Sequence, residues 1–266
     1  MLQKKRLMNR NNKEFLAAYV SQRMDMGESE WFLDPAGVFA AIGETVPKEA
    51  LQGGIERVAE AKKPIQEVPQ PDSVSEEAIA SAKTLDELSE AVSGCKRCEL
   101  GLTRNKFVFG AGNPKAGILF VGEAPGADED AQGIPFVGRS GKLLTKMIEA
   151  LKLSRDEVYI ANILKCRPPG NRNPKAGEID LCEKVLLRQI DIIKPKVICA
   201  LGLVSGQTLL RTKSSLGELR KTMHDYHGVK FIVTYHPAAL LRNPNWKQGA
   251  WEDLKKARQE FDGLEL

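Results

Sequence analysis

The sequence predicts an α/β protein. The expected architecture is a three-layer α/β/α sandwich with a central four-stranded parallel sheet, preceded by a partly disordered helical N-terminal extension. Three observations carry this. Four short apolar runs, 117–121 (GILFV), 157–162 (EVYIAN), 196–201 (KVICAL) and 230–235 (KFIVTY), have the length and composition of buried strands. Helical patterns lie between and after them, near 140–151, 177–193, 203–210 and 247–261. Strands alternating with helices pair in parallel, because right-handed crossovers lay helices on both sheet faces. Upstream of residue 85 this alternation is absent.

The upstream part reads differently. Phe15, Leu16, Tyr19, Val20 and Met24 recur at helical spacing and predict one helix within 12–33. Gly43, Pro47, Gly53, Gly54, Pro64, Pro69 and Pro71 then punctuate a polar stretch. Residues 43–74 therefore read as a mobile linker with one short helix at 55–62. From 74 to 92 the pattern is helical again, and Thr84-Leu-Asp-Glu87 fits a capping box. The expected division is an acidic extension, 1–84, and a second domain, 85–266. No internal repeat is found.

Composition narrows the classes. The chain has 266 residues, with 42% hydrophobic and 28% charged, ordinary values for a globular protein. Its longest apolar stretches, such as 197–204, run to about eight residues, and a membrane span needs about 20, so no crossing is expected. MLQKKRLMNRNNK at the start has no apolar segment behind its charges, so no secretory leader is expected. Five cysteines are odd in number and too few for a disulfide scaffold. They point to a reducing, cytoplasmic setting with thiols kept for metal or catalysis. The net charge of +4 hides an asymmetry. Residues 1–94 carry 11 Lys+Arg against 16 Asp+Glu, while the rest carries 28 against 19. A basic domain can attract a polyanion, although charge alone also serves solubility.

In an open parallel sheet, ligands sit beyond the carboxyl ends of the strands. The loops after Val121, Asn162, Leu201 and Tyr235 are therefore the places to inspect. The first, Gly122-Glu-Ala-Pro-Gly126, lets the backbone turn tightly, but lacks both G-x-G-x-x-G and a following Gly-Lys-Ser/Thr. A dinucleotide site and a P-loop are thereby disfavoured. Phe136, in Pro-Phe-Val-Gly-Arg139, is either core or a stacking platform for a base. Asn162 ends a strand, where its amide can donate and accept toward a planar ligand edge. Lys165, Arg167 and Arg172 follow it as phosphate contacts or solvated turn residues. His236 closes the last strand, either as a structural histidine or as part of a site. Leu240 and Leu241, beside Arg242, either seat their loop on the core or act as a wedge between base steps. His224 and His227 flank a hairpin turn and read as surface residues.

Four cysteines give the sharpest metal signal. Cys95 and Cys98 form C-x-x-C, Cys166 follows after 67 intervening residues, and Cys182 after 15 more. Such a set suits zinc or an iron–sulfur cluster, and spacing does not choose between them. A lone C-x-x-C would instead suit redox chemistry. Cys199, mid-strand, reads as core.

Gly-Glu-Ala-Pro-Gly (122–126), Glu129-Asp130, Pro-Phe-Val-Gly-Arg (135–139), Asn162, Cys-Arg-Pro-Pro (166–169) and His-Pro-Ala-Ala-Leu-Leu-Arg (236–242) occur in one order. That order resembles the family 4 uracil-DNA glycosylases, which carry a [4Fe–4S] cluster. The resemblance covers about 85–263. It implies a hydrolase that excises uracil from DNA, taking the flipped base into its pocket. By resemblance, Phe136 stacks on uracil, Asn162 reads its polar edge, and the backbone around Gly122, Glu123 and Ala124 lines the pocket. His236 would stabilise charge developing on the uracil oxygen, a contribution on the order of 3 kcal/mol. Glu123 or Glu129 would assist the water, with Asn171 positioning groups nearby. Ala124 stands where other uracil glycosylases place an Asp, which the family 4 pattern also lacks. Arg167, Arg172, Leu240, Leu241 and Arg242 would meet the DNA. Cys95, Cys98, Cys166 and Cys182 would ligate the cluster, zinc being the lesser alternative. A related branch captures the abasic sugar through a histidine in a basic insert. Residues 165–174 contain no His, so no covalent capture is expected. A monomer is expected, and the rival reading is a non-catalytic iron–sulfur module that grips nucleic acid.

Overall fold

The computed structural model describes residues 74–264. The helix expected within 12–33 and the linker expected over 43–74, apart from Val74, lie outside them. The described chain forms a six-stranded sheet between two helical layers. Strands are β1 (Ala111–Gly112), β2 (Ile118–Gly122), β3 (Tyr159–Asn162), β4 (Val197–Leu201), β5 (His224–Tyr226) and β6 (Val229–Thr234). Their spatial order is β1-β3-β2-β4-β6-β5. The four inner strands are the four expected, and all pair in parallel. The sheet is wider than the expected four strands because β1 and β5 add antiparallel edges. These are two and three residues long, too short to leave a hydrophobic period in the sequence. His227 and Gly228 join β5 to β6 with positive φ angles of 52° and 81°, as a tight hairpin requires.

The inner strands are buried on both faces, and alternate residues serve opposite layers. Leu119, Val121, Ile198, Ala200, Phe231 and Val233 face one layer. There they meet α2 (Leu85–Val92), α6 (Ala176–Ile193), α7 (Leu203–Leu209) and α8 (Leu216–Leu219), through Leu85, Leu186, Ile190, Leu209 and Leu219. Ile118, Phe120, Ile160, Cys199 and Leu201 face the other. They meet α5 (Arg139–Ala150) and α10 (Lys247–Asp262), through Leu144, Ile148 and Leu254. Cys199 is fully buried mid-strand, as the sequence predicts.

Helix α1 (Glu76–Ser81) and α2 pack on α6, with Ile79, Ala82, Leu88 and Val92 against Val185. The packed body thus takes in residues N-terminal to Leu85. At the start of α2, Thr84 accepts from the Glu87 N–H at 3.2 Å. Glu87 reaches back to the Lys83 N–H at 2.6 Å, one residue beyond the Thr84 N–H of a reciprocal box. Short helices α3 (Leu100–Thr103), α4 (Ala127–Gln132) and α9 (Pro237–Arg242) complete the fold around the ends of the strands. No helix among the described residues is long and apolar enough to cross a membrane.

Leu88 is fully enclosed between α2 and α6. Leu88→Ala should cost about 2–5 kcal/mol in urea unfolding of the full chain, the range for a buried leucine truncation. A loss under about 0.5 kcal/mol would show that α2 is not part of the cooperative core.

Candidate active site

The carboxyl ends of β2, β3 and β6 open into a cavity of about 400 Å³. Its walls include Glu123, Ala124, Phe136, Asn162, Asn171, His236 and Arg242, drawn from four separate stretches of chain. The register of β2 with β3 sets the floor. Gly122 pairs with Asn162, and the pairing continues past the strands as Ile163 N–H to Gly122 O and Leu164 N–H to Glu123 O, each 3.0 Å. Gly122 is required here. A Cβ would overlap Asn162 Oδ1 and come within 2.6 Å of the Phe136 ring. Asn162 is buried, and its Oδ1 has no hydrogen-bond partner. Such an atom costs about 1–3 kcal/mol until a donor arrives.

Phe136 sits over this floor with φ 53°, a left-handed conformation that a bulky residue rarely takes. Two charged side chains hold it there. Arg155 donates to Phe136 O at 3.3 Å and Pro135 O at 2.9 Å. Glu129 accepts from Val137 N–H at 2.9 Å, Gly138 N–H at 3.0 Å and Gly126 N–H at 3.1 Å. Both oxygens of the Glu129 carboxylate are thus occupied by backbone donors. As placed it braces two loops, which does not suit the water-assisting role expected for it. Glu123 differs: its side chain has no hydrogen-bond partner among the described residues, and burial raises its carboxyl above the ordinary range.

His236 faces Phe136 with ring centroids 5.7 Å apart. It caps α9, its Nδ1 accepting from the Ala238 N–H at 3.1 Å. That bond leaves the ring proton on Nε2. Burial, with the Arg242 charge beside it, pulls the imidazole down to about 4, and Glu129 opposes this. Behind His236, Arg220 lies 4.0 Å from the Tyr235 ring centroid and donates to its hydroxyl at 2.7 Å. Asp253 on α10 accepts from Arg220 and from Thr234, at 2.6 and 2.8 Å. Trp246 stacks on Tyr235 with ring centroids 5.1 Å apart. Nothing near His236 in the sequence announces this brace.

The outer residues divide. Arg242 is exposed and lines the cavity, and Leu241 beside it is 45% exposed. Leu240, expected alongside it at the DNA, is only 1% exposed and faces the core, because successive residues of α9 point to different sides. Arg172, expected to be a phosphate contact, is held by Glu178 through two bonds of 3.0 and 2.6 Å. Arg167 donates to Asn171 Oδ1 at 2.8 Å and shapes the rim. Lys165, read as a charge on a surface loop, is wholly buried and points inward. Burial pulls its ammonium down to about 8, against the opposing pull of Cys182 and Cys166.

Cys95, Cys98, Cys166 and Cys182 line one small cavity on the far side of this loop. None of the four is paired in a disulfide. Arg104 donates to Cys166 Sγ at 3.2 Å and to Cys95 O at 2.6 Å, and the Lys165 N–H points to Cys182 Sγ at 3.3 Å. Burial pushes Cys166 up to about 11 and Cys182 up to about 12. No three His, Cys, Asp or Glu side chains among the described residues are placed to hold a single metal ion.

Comparison with known proteins decides the family. The description of the uracil DNA glycosylase superfamily matches residues 109–255. A type-4 uracil-DNA glycosylase of Sulfurisphaera tokodaii is 46% identical over 188 residues, covering 66% of this chain and 84% of that protein. The type-4 enzyme of Archaeoglobus fulgidus is 42% identical and 92% covered, across 65% of this chain. This chain belongs to the type-4 uracil-DNA glycosylases. A type-4 protein of Thermotoga maritima is 43% identical across 64% of this chain and 91% of its own length. A type-5 uracil-DNA glycosylase of Pyrobaculum aerophilum is more distant, at 30% over 149 residues.

Sequence reading named Glu123, Phe136, Asn162, Asn171, His236 and Arg242, which the fold brings to one cavity, and missed Arg155, Arg104 and Gln189. Each acts on backbone or sulfur far away in the chain, so no local pattern marks it. Glu129→Ala should destabilise the protein by about 1–3 kcal/mol or more by orphaning backbone donors, and Glu129→Gln, which keeps one oxygen, by less. Equal chemical-denaturation midpoints for wild type and Glu129→Ala would refute the bracing role.

Proposed function

We propose that this chain hydrolyses the N-glycosyl bond of uracil in DNA, leaving an abasic site for base-excision repair. The observation that carries the residue assignment is the pairing of two groups across one cavity. One is the unpartnered Asn162 Oδ1, and the other is a neutral His236 with its proton on Nε2. A uracil ring laid against Phe136 presents an N3–H and an O4 edge. The Asn162 amide can accept from the first and donate to the second. This needs the base outside the helix stack, as enzymes acting on bases in DNA arrange.

As the glycosyl bond breaks, the electron pair moves into the uracil ring and negative charge builds on its O2. The His236 Nε2–H is the donor proposed for that oxygen. Because Nδ1 is already held by Ala238 N–H, the ring does not turn as charge develops. Preorganised donors act in this way without reorganisation at the moment of reaction. The sugar is left with oxocarbenium character, so a strong base is not essential for water attack. Glu123 is the carboxyl free to orient that water, while the Glu129 carboxylate is spent on the loops. Leu241 and Arg242 stand at the rim, where a wedge and a phosphate contact would hold extrahelical DNA.

Cys95, Cys98, Cys166 and Cys182 are assigned to a [4Fe–4S] cluster, in keeping with the type-4 resemblance. The donor set fits: four cysteines outside any disulfide surround a small, mostly apolar cavity, and Arg104 and a backbone N–H point at sulfur. When bound, the cluster would supply a cross-link among α6, the C-x-x-C segment and the Asn162 loop. The partner is uracil-containing DNA, and the working unit is a monomer. The rival binding-only reading gives no reason for an unsatisfied amide and a neutral histidine to share a cavity.

A single-stranded oligonucleotide with one uracil should yield alkali-labile sites, and a thymine control should not. His236→Ala should lower the single-turnover rate by about 10²–10³-fold, the usual effect of removing one such donor. An unchanged rate would remove His236 from the chemistry. NMR titration should place the His236 midpoint near 4, with Nδ1 unprotonated above it. A midpoint near 6.5 would mean the ring is solvated and the tautomer unfixed. The native state binds fewer protons than the unfolded chain between these two values. This group's contribution to stability is therefore full above pH 6.5, falls as pH drops toward 4, and changes no further below.

A further inference from the structure

Lys165 is the one charged residue with no exposed surface among those described. Its ammonium donates to two neutral acceptors, Asn162 O at 2.8 Å and Gln189 Oε1 at 2.6 Å. Gln189 is fixed in turn by donating to Phe109 O at 3.0 Å. No carboxylate forms a salt bridge with Lys165 among the described residues. A buried charge without a counter-ion is strongly unfavourable. Lys165 is next to Cys166 in the chain and its main-chain N–H donates to Cys182 Sγ at 3.3 Å, so the sulfurs of these two residues are the neighbouring groups able to supply one. Lys165 therefore stands between the four-cysteine site and the residue that faces the base.

We propose that Lys165 is a positioning residue serving both sides. Its ammonium balances the negative charge of the thiolate-bound cluster, and its bond to the Asn162 carbonyl fixes the amide that reads the base. This rests on the assignment of a cluster to the four cysteines. It explains why a lysine, costly to bury, lies in the interior of a basic domain with ample surface for it. It also explains why the Asn162 loop and the cysteine site share one short stretch of chain. The lysine in that stretch links the two by charge as well as by backbone.

The test uses the full chain reconstituted without oxygen from iron and sulfide. The cluster midpoint potential is measured by film voltammetry, and kcat and KM on the uracil oligonucleotide. Two variants remove the positive charge in different ways: Lys165→Met deletes it, and Gln189→Glu places a carboxylate against it with little change of shape. Both should move the potential negative while the visible chromophore persists. Lys165→Met should also raise KM about tenfold or more, the loss of one charge-assisted hydrogen bond. Gln189→Glu, which keeps the bond to Asn162, should raise it less. If Lys165→Met does not fold, the potential of Gln189→Glu decides. Coloured variants with the wild-type potential would overturn the role of Lys165 while leaving the cluster intact. A colourless wild type after reconstitution would overturn the cluster assignment itself, and this proposal with it.

Discussion

The site depends on one pairing, that of Gly122 with Asn162 at the ends of β2 and β3. Parallel strands that end level with each other place the next residues of both chains in the same plane. Here those residues go on bonding for two more steps, which carries sheet-like order into the loops. Gly122 contributes no side chain, so the Asn162 amide and the Phe136 ring both occupy the space above it. A side chain at 122 would force one of them out. The orphaned oxygen of Asn162 follows from the same constraint. The amide is pinned by packing beneath an aromatic ring, away from protein donors, so that a ligand can supply the missing partner.

Around that pairing the protein uses buried charge to hold backbone in unfavourable shapes. Phe136 is held left-handed by Arg155, which collects its own carbonyl and the one before it, and by Glu129, which collects the amides after it. Lys165 holds the carbonyl of Asn162 by a bond from its buried ammonium. Hydrogen bonds to ionised groups contribute roughly 1.5–3 kcal/mol each, enough to offset the 1–3 kcal/mol of a strained dihedral. His236 is treated oppositely. It is kept neutral by burial, because an imidazolium would need Nδ1 to donate where it now accepts. Charges fixed in the frame and neutral groups facing the ligand are what a site needs if charge is to appear only during the reaction.

These differences in environment also decide what the sequence could reveal. The inner strands were legible because residues buried on both faces leave unbroken apolar runs. The cavity residues were legible because parallel topology sends the loops after Val121, Asn162 and Tyr235 to one side. The edge strands were not, since two or three residues carry no period. Lys165, Glu129 and Arg172 were legible as charged residues, but the protein groups that receive them were not. Composition says that a lysine in a Pro/Gly loop is solvated, and only the fold shows that Gln189, 24 residues on, receives it. Leu240 and Leu241 are chemically identical neighbours, and one turn of α9 sends the first to the core and the second to the rim.

The remaining contrast is between the rigid interior and the rim. Residues that would touch the base, Phe136, Asn162 and His236, are each fixed by bonds from a different element. Glu129 of α4 and Arg155 after α5 hold the first, β2 the second, and α9 with the Tyr235 brace the third. Leu241 and Arg242 project from a single short helix and lack comparable bracing. Such a division suits an enzyme that must read one base closely while accepting any neighbouring sequence. Base recognition demands fixed donors and acceptors, because a misplaced hydrogen bond discriminates nothing. Backbone contact demands only charge and an apolar wedge, both of which tolerate variation in the strand they meet. The cysteine site extends this logic from behind. It gathers α6, the C-x-x-C segment and the loop after β3, so the loop that follows Asn162 is held by a second set of contacts besides those of the sheet.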